Sequence, residues 1–176
     1  MSKYFHLSIA GVLLLILGAC CMKAPVTDTQ SPQVSVLVSD SSMNGGNPYS
    51  YMLYQSDGPR KERSFVTKDD SVQLRFVGRD VGGVKSVVVK AENGKLTSGP
   101  FIGVGTVESS VEGNSDIMTI NGEKDCATNT LDHTVTVSSR DGSPVIVSVK
   151  VLDQGGISGR SNTTPAPDIQ IVFSSP

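Results

Sequence analysis

The chain has 176 residues, with 15 Lys+Arg against 17 Asp+Glu for a formal net charge of -2, 5% aromatic residues and no Trp. That balance leaves no electrostatic footprint for nucleic acid. No long amphipathic helical period runs through the sequence, whereas Gly, Ser, Thr and Val are plentiful, a composition of short strands joined by turns.

At the N-terminus, Lys3 precedes an apolar run from Leu7 to Leu17 that is too short to span a bilayer comfortably, and Gly18 and Ala19 lead into Cys20. The order of charge, apolar run and small residues is that of a cleaved export signal. The tetrapeptide Leu17-Gly18-Ala19-Cys20 resembles the bacterial lipobox, in which a cysteine thiol takes a diacylglycerol through a thioether before the peptide is cut in front of it. The resemblance implies a lipoprotein signal peptide over residues 1–19 and a lipid on Cys20 as the link to the membrane. Acylation of the freed amine would add the second chain that stable anchoring needs. It also implies a cell-envelope location. Cys21, not Asp, follows the modified residue, which points to the outer membrane if the host is Gram-negative.

Only Lys3 among the charged residues lies in the leader, so the chain from Cys20 onward has a net charge of -3 and is long enough for one domain with a real core. Residues 20–32, which include MKAPVTDTQSP, are polar, carry two prolines and lack an apolar period; they read as a lipidated tether. Residues 33–176 then form the folded domain. With Cys20 lipidated, Cys21 and Cys126 remain, and two readings stay open: a bridge formed outside the cytoplasm, or separate free thiols. Cys126 has His133 seven residues on but no second pair of ligands, so the spacing makes no metal motif.

In chain order, Val34, Val36 and Val38 alternate with polar or smaller partners in a first strand, and 39–47 is a turn-rich loop. Tyr49–Tyr54 has strand propensity. Its tyrosines form either a partly buried edge or a contact face. SDGPRKER, Ser56–Arg63, is a turn with a basic tip. Ser71–Val77 alternates Val72, Leu74 and Phe76 against Gln73 and Arg75, and Val84–Ala91 follows in the same style. Pro100–Glu112 is less regular; its Gly103-Val104-Gly105 lacks the third glycine and helix of a dinucleotide loop, so a bent strand is expected. Ile117–Ile120, His133–Ser138, Val145–Leu152 and Ile169–Phe173 complete some eight or nine strands at sandwich spacing.

One pattern occurs twice directly after an alternating strand: Asp80-Val81-Gly82-Gly83-Val84 and Asp153-Gln154-Gly155-Gly156-Ile157. An Asp side chain accepts backbone N–H groups two residues on, and the glycines take positive φ without steric cost. The segments from Val72 to Gly94 and from Pro144 to Phe173 resemble the second-and-third and last-two strands of bacterial immunoglobulin-like domains, a broad group with fibronectin-type and cadherin-like relatives. The resemblance implies an all-β, antiparallel immunoglobulin-like β-sandwich with both turns at one end. Asp80 and Asp153 would then be neighbours. Cadherin-like relatives bind calcium through clustered carboxylates, but that needs six to eight oxygens, and here Asp141 or Asp168 would have to converge with the pair. Turn capping is the expected role.

No catalytic, cofactor or metal site is assigned. His133 is the one histidine left after cleavage and is expected as a satisfied strand-end residue. Ser138 and Ser139 lie near it without a Gly-x-Ser-x-Gly elbow. The expected protein is a membrane-anchored lipoprotein, not an enzyme, whose sandwich binds a protein or glycan partner or serves as a structural contact. The alternatives are a surface adhesin or carbohydrate-binding module and, behind them, an envelope enzyme.

Overall fold

The computed structural model describes residues 30–39, 51–58, 64–101, 105–123, 129–155 and 162–174. The expected signal peptide, Cys20, Cys21, Cys126, Tyr49, Gly103 and the basic tip at 59–63 lie outside the described residues. Twelve strands run through the rest: β1 Gln33–Ser39, β2 Tyr51–Gln55, β3 Ser64–Thr67, β4 Ser71–Arg79, β5 Val84–Glu92, β6 Gly94–Phe101, β7 Thr106–Glu112, β8 Ser115–Asn121, β9 Thr130–Ser139, β10 Val145–Asp153, β11 Thr163–Pro165 and β12 Ile169–Phe173.

They form two sheets. One has the order β2-β1-β4-β9-β6, and the other β3-β12-β10-β5-β8-β7 with β11 also on β10. Successive strands β4 and β5 cross from one sheet to the other, as do β9 and β10. The pairs β4–β9 and β5–β10 are antiparallel neighbours within their sheets. With β1 beside β4, β6 beside β9 and β12 beside β10, this is the immunoglobulin arrangement. The segments from Val72 to Gly94 and from Pro144 to Phe173 thus supply the strand pairs that the resemblance implied. One pair departs from the antiparallel expectation, because β3 runs parallel to β12.

The core follows from alternation. β4 buries Val72, Leu74 and Phe76 and exposes Ser71, Gln73 and Arg75, while β10 buries Val145, Val147, Val149 and Val151. Valine dominates because a β-branched side chain packs well on a pleated surface. Gly78, on the inner face of β4, has a packing reason: a Cβ there would lie 3.0 Å from Val151 Cγ1 and 3.1 Å from Val87 Cγ2.

The stretch expected as one bent strand is divided between sheets. Phe101 ends β6 in the five-stranded sheet and Thr106 begins β7 in the other. β3, the first half of β6, and β11 also had no counterpart in the sequence reading. β11 and β12 follow one another along the same edge of β10, so they act as a single last strand interrupted at Ala166 to Asp168.

The registers define two ends. Gln33 pairs with Arg79, so the chain enters at the end that holds the β4–β5 turn. Ser174 donates its N–H to Thr67 O (2.9 Å) at the opposite end. Three further turns meet there.

Candidate functional site

At the lead-in end, the two Asp-led turns touch, as the resemblance implied: Gln154 N–H donates to Gly83 C=O at 2.9 Å. The similar sequences are nonetheless solved differently. In the first turn Gly83 N–H donates to Asp80 C=O (3.3 Å), and positive φ falls on the second glycine, Gly83 at 99°. In the second, positive φ falls on the first glycine, Gly155 at 87°. The first must carry the chain across to the other sheet, whereas the second opens a loop that returns along the same edge of β10.

Asp153, 1% exposed, caps that loop through its carboxylate. Oδ1 accepts the N–H groups of Gly155 (2.9 Å) and Asn162 (2.7 Å), and Oδ2 accepts Asn162 Nδ2 (2.7 Å). The two-residues-on bond is the expected Asx turn. Asn162 is the part that sequence reasoning missed. Asn162 Nδ2 also reaches Gln30 O at 3.4 Å, and Pro32 is buried, so the last residues of the expected tether lie against the sandwich. Asp141 sits in the β9–β10 turn at the other end, where its carboxylate, held below the usual range by hydrogen bonds from Ser143, accepts Ser143 N–H at 3.0 Å. Asp168 precedes β12 beside the middle of β10. Neither converges with the pair. No group of three or more His, Cys, Asp and Glu among the described residues could hold a metal ion.

Two cavities open at this end. A cleft of about 260 Å³ is lined by Gln33, Arg79, Asp80, Asn129 and Thr130. A larger one of about 580 Å³ is lined by Lys85, Thr106, Asn121, Glu123 and Gln154, a set offering one cation, one carboxylate and two amides. The larger volume falls in the range of ligand sites. None of its described lining residues is aromatic, so they offer no ring on which a sugar could stack.

His133 lies in the middle of β9, not at its head, and is 2% exposed. Its Nε2 is 2.9 Å from Ser98 Oγ on β6. Burial pushes the imidazole below the usual histidine range, and the neighbouring Asp132 pulls weakly the other way. Ser98 Oγ also donates to Gly99 O (3.1 Å). The hydroxyl thus contacts both the ring and a backbone carbonyl, and the direction of the Ser98–His133 bond follows from the imidazole tautomer. Asp132 faces the outer side of the sheet, where Arg75 Nε meets its Oδ1 at 2.7 Å and the second guanidinium nitrogen meets Oδ2. That pair raises the Arg75 pKa through hydrogen bonding and charge. Asp132 is therefore not the group that orients a catalytic imidazole. Ser138 and Ser139 lie further along β9, and Ser139 Oγ donates to Ser143 O (2.9 Å) in the turn. Tyr54 packs half-buried against the core, the edge role weighed for it.

At the opposite end, a hydrogen-bonded knot ties three turns together. Asn93, in the left-handed region at φ 60°, takes an N–H bond from Arg140 to its C=O (3.1 Å) and gives its own N–H to Asn114 O (3.0 Å). Arg140 Nε bonds Gly94 O (3.0 Å), and its terminal nitrogen pairs with Asp116, whose other oxygen accepts Leu96 N–H (2.9 Å). The two sheets are thereby clamped at their rim.

The fold class is that of an all-β, immunoglobulin-like sandwich. No protein-family model matches the chain, and no curated protein does. Among solved structures, it is similar to a non-cellulosomal cohesin from the hyperthermophilic archaeon Archaeoglobus fulgidus, at 12% identity and a TM-score of 0.40 over 64% of this chain and 86% of the cohesin. It is also similar to the major pilin subunit BcpA of Bacillus cereus, at 11% identity and a TM-score of 0.44 over 82% of this chain and 41% of the pilin. Likeness at that level adds nothing to the assignment, which rests on the strand order.

Proposed function

We propose that the chain is a bacterial lipoprotein, anchored in the cell envelope through Cys20, whose sandwich works by contact with a protein or glycan partner and not by catalysis. The observation that carries this reading is the tetrapeptide Leu17-Gly18-Ala19-Cys20 directly after the apolar run Leu7–Leu17. The domain then occupies residues 33–176 behind a tether over 20–32. From Cys20 to Gln30, where it meets the sandwich, an extended tether reaches roughly 30 Å. An anchor there would hold the lead-in end, with its two cavities, toward the membrane and present the knotted end outward. With Cys21 after the anchor, the location is the outer membrane in a Gram-negative host.

The test is metabolic labelling with a fatty-acid analogue. Cys20→Ala abolishes incorporation; label retained at the wild-type level overturns the assignment of Cys20. Density-gradient fractionation checks the location, and recovery wholly with inner-membrane markers refutes the outer-membrane part.

A further inference from the structure

β7 ends the seven-stranded sheet, and no described residue pairs with its outer edge. Open strand edges are usually short, bulged or protected by Pro or by charged side chains, Lys above all. The other three edges here follow that practice. β3 has four residues, and the registers of β2 and β6 shift at irregularities. β7 is neither short nor bulged: its seven residues, TVESSVE, pair with β8 in unbroken register, and its charges are Glu108 and Glu112.

Among the described residues, the other sheet gives it little cover beyond Val107. The last strand of that sheet, β6, meets β8, where Leu96 N–H bonds Asp116. Of the inward-facing side chains of β7, Val107 packs half-buried on the core, but Ser109 is exposed and Val111 is 64% exposed. Thr106, Glu108, Ser110 and Glu112 face outward. Glu108 is pinned by Asn121 Nδ2 at 3.2 Å.

This edge is complementary to itself in one register. When two copies pair antiparallel about a two-fold axis perpendicular to the sheet, each residue lies opposite one from the same face. With Ser109 on the axis, all seven residues pair. Val107 of each copy then lies opposite Val111 of the other, Glu108 opposite Ser110, and Glu112 opposite Thr106. The neighbouring registers pair fewer residues and set acids face to face: Glu108 against itself when it is on the axis, Glu108 against Glu112 when Ser110 is. Like charges directly opposite are destabilising, whereas paired β-branched residues stabilise.

We propose that β7 is a homotypic docking edge, joining two copies of this chain through a continuous sheet centred on Ser109. The junction forms about six to eight N–H···O bonds, depending on which residues of β7 point outward. It closes an apolar strip of Val107 and Val111 from both copies over the gap between the two β6 strands. A single strand edge is smaller than a stable interface, so pairing is weak and concentration-dependent. The proposal goes beyond the anchoring reading and stands whether or not Cys20 carries lipid.

The test is position-specific oxidative crosslinking of the full-length protein, with linked peptides identified by mass spectrometry so that links through the native cysteines are separated. Residues directly opposite approach to disulfide distance, whereas Ser110 of the two copies sits on a diagonal, about 7–8 Å apart. Ser109→Cys should give a 109–109 link that grows with protein concentration and exceeds the 110–110 link of Ser110→Cys by about tenfold. Adding Val111→Lys to Ser109→Cys should reduce that link severalfold; Val111 is exposed, so the variant keeps its fold, which circular dichroism checks directly. Absence of a 109–109 link, equal yields at 109 and 110, or indifference to Val111→Lys in a folded variant would each overturn the proposal.

Discussion

Removing the Asp153 carboxylate strands three donors: the N–H groups of Gly155 and Asn162 and the Asn162 side-chain amide. The amide can rotate toward solvent. The two backbone groups, in part-buried positions, cannot. An unsatisfied buried donor costs about 1–3 kcal/mol, so Asp153→Ala should destabilise the fold by about 3 kcal/mol, against about 1 kcal/mol for a lone exposed cap. For a domain of this size that corresponds to a midpoint lowered on the order of 10 °C. Asp153→Asn keeps Oδ1 and its two N–H bonds but turns an NH2 toward Asn162 Nδ2, so a loss of only about 1 kcal/mol is expected. Thermal unfolding followed by circular dichroism, in chelator and in millimolar calcium, reads both effects. If the carboxylate instead held calcium, the wild type would gain about 2.7 kcal/mol at a hundredfold excess over the dissociation constant, and the variant would not. That result, or an Asp153→Ala midpoint within about 2 °C of wild type, would refute the capping account.

Two further expectations rest on named contacts. Because burial lowers the His133 pKa, the folded chain binds this proton at lower pH than the unfolded chain, whose histidine titrates near about 6.5. Its contribution is present above that pH and is lost as pH falls from there through the lowered folded value; urea midpoints at about pH 7.5 and 5.5 should converge for His133→Gln relative to wild type, and an unchanged pH response sinks the argument. At the knot, where the Arg140 and Asp116 side chains are 28% and 16% exposed, a double-mutant cycle with alanine should give a coupling of about 1 kcal/mol that shrinks in high salt, and zero coupling would remove the clamp.

Strands that bury one face were legible in the sequence, because alternation is a direct record of it. β1, β4, β5, β9, β10 and β12 all carry that record. β7 has almost both faces in water, so no period betrays it. β6 has no clean alternation and only its end fell within the bent strand expected from Pro100, and β3 is too short for a pattern. The Ser98–His133 contact was hidden for the same reason, since Ser98 belongs to an unread strand. Asp153 was legible through the glycine beside it, but Asn162, nine residues on, is brought to it only by the β10–β11 pairing. The two Asp-Xaa-Gly-Gly sequences looked equivalent, yet their first glycines differ: Gly155 is left-handed and Gly82 is not.

The opposite placement of Gln30 and Ser174 gives the sandwich a mechanical polarity. A pull between these points runs along the strands, not across them. The hydrogen bonds of β1 with β4, and of β12 with β3 and β10, are then loaded together in shear instead of being unzipped one pair at a time. Resistance to such a force is set by the rate of unfolding, not by equilibrium stability. A domain held at one end and gripped at the other would transmit tension through its full length before either terminal strand slipped.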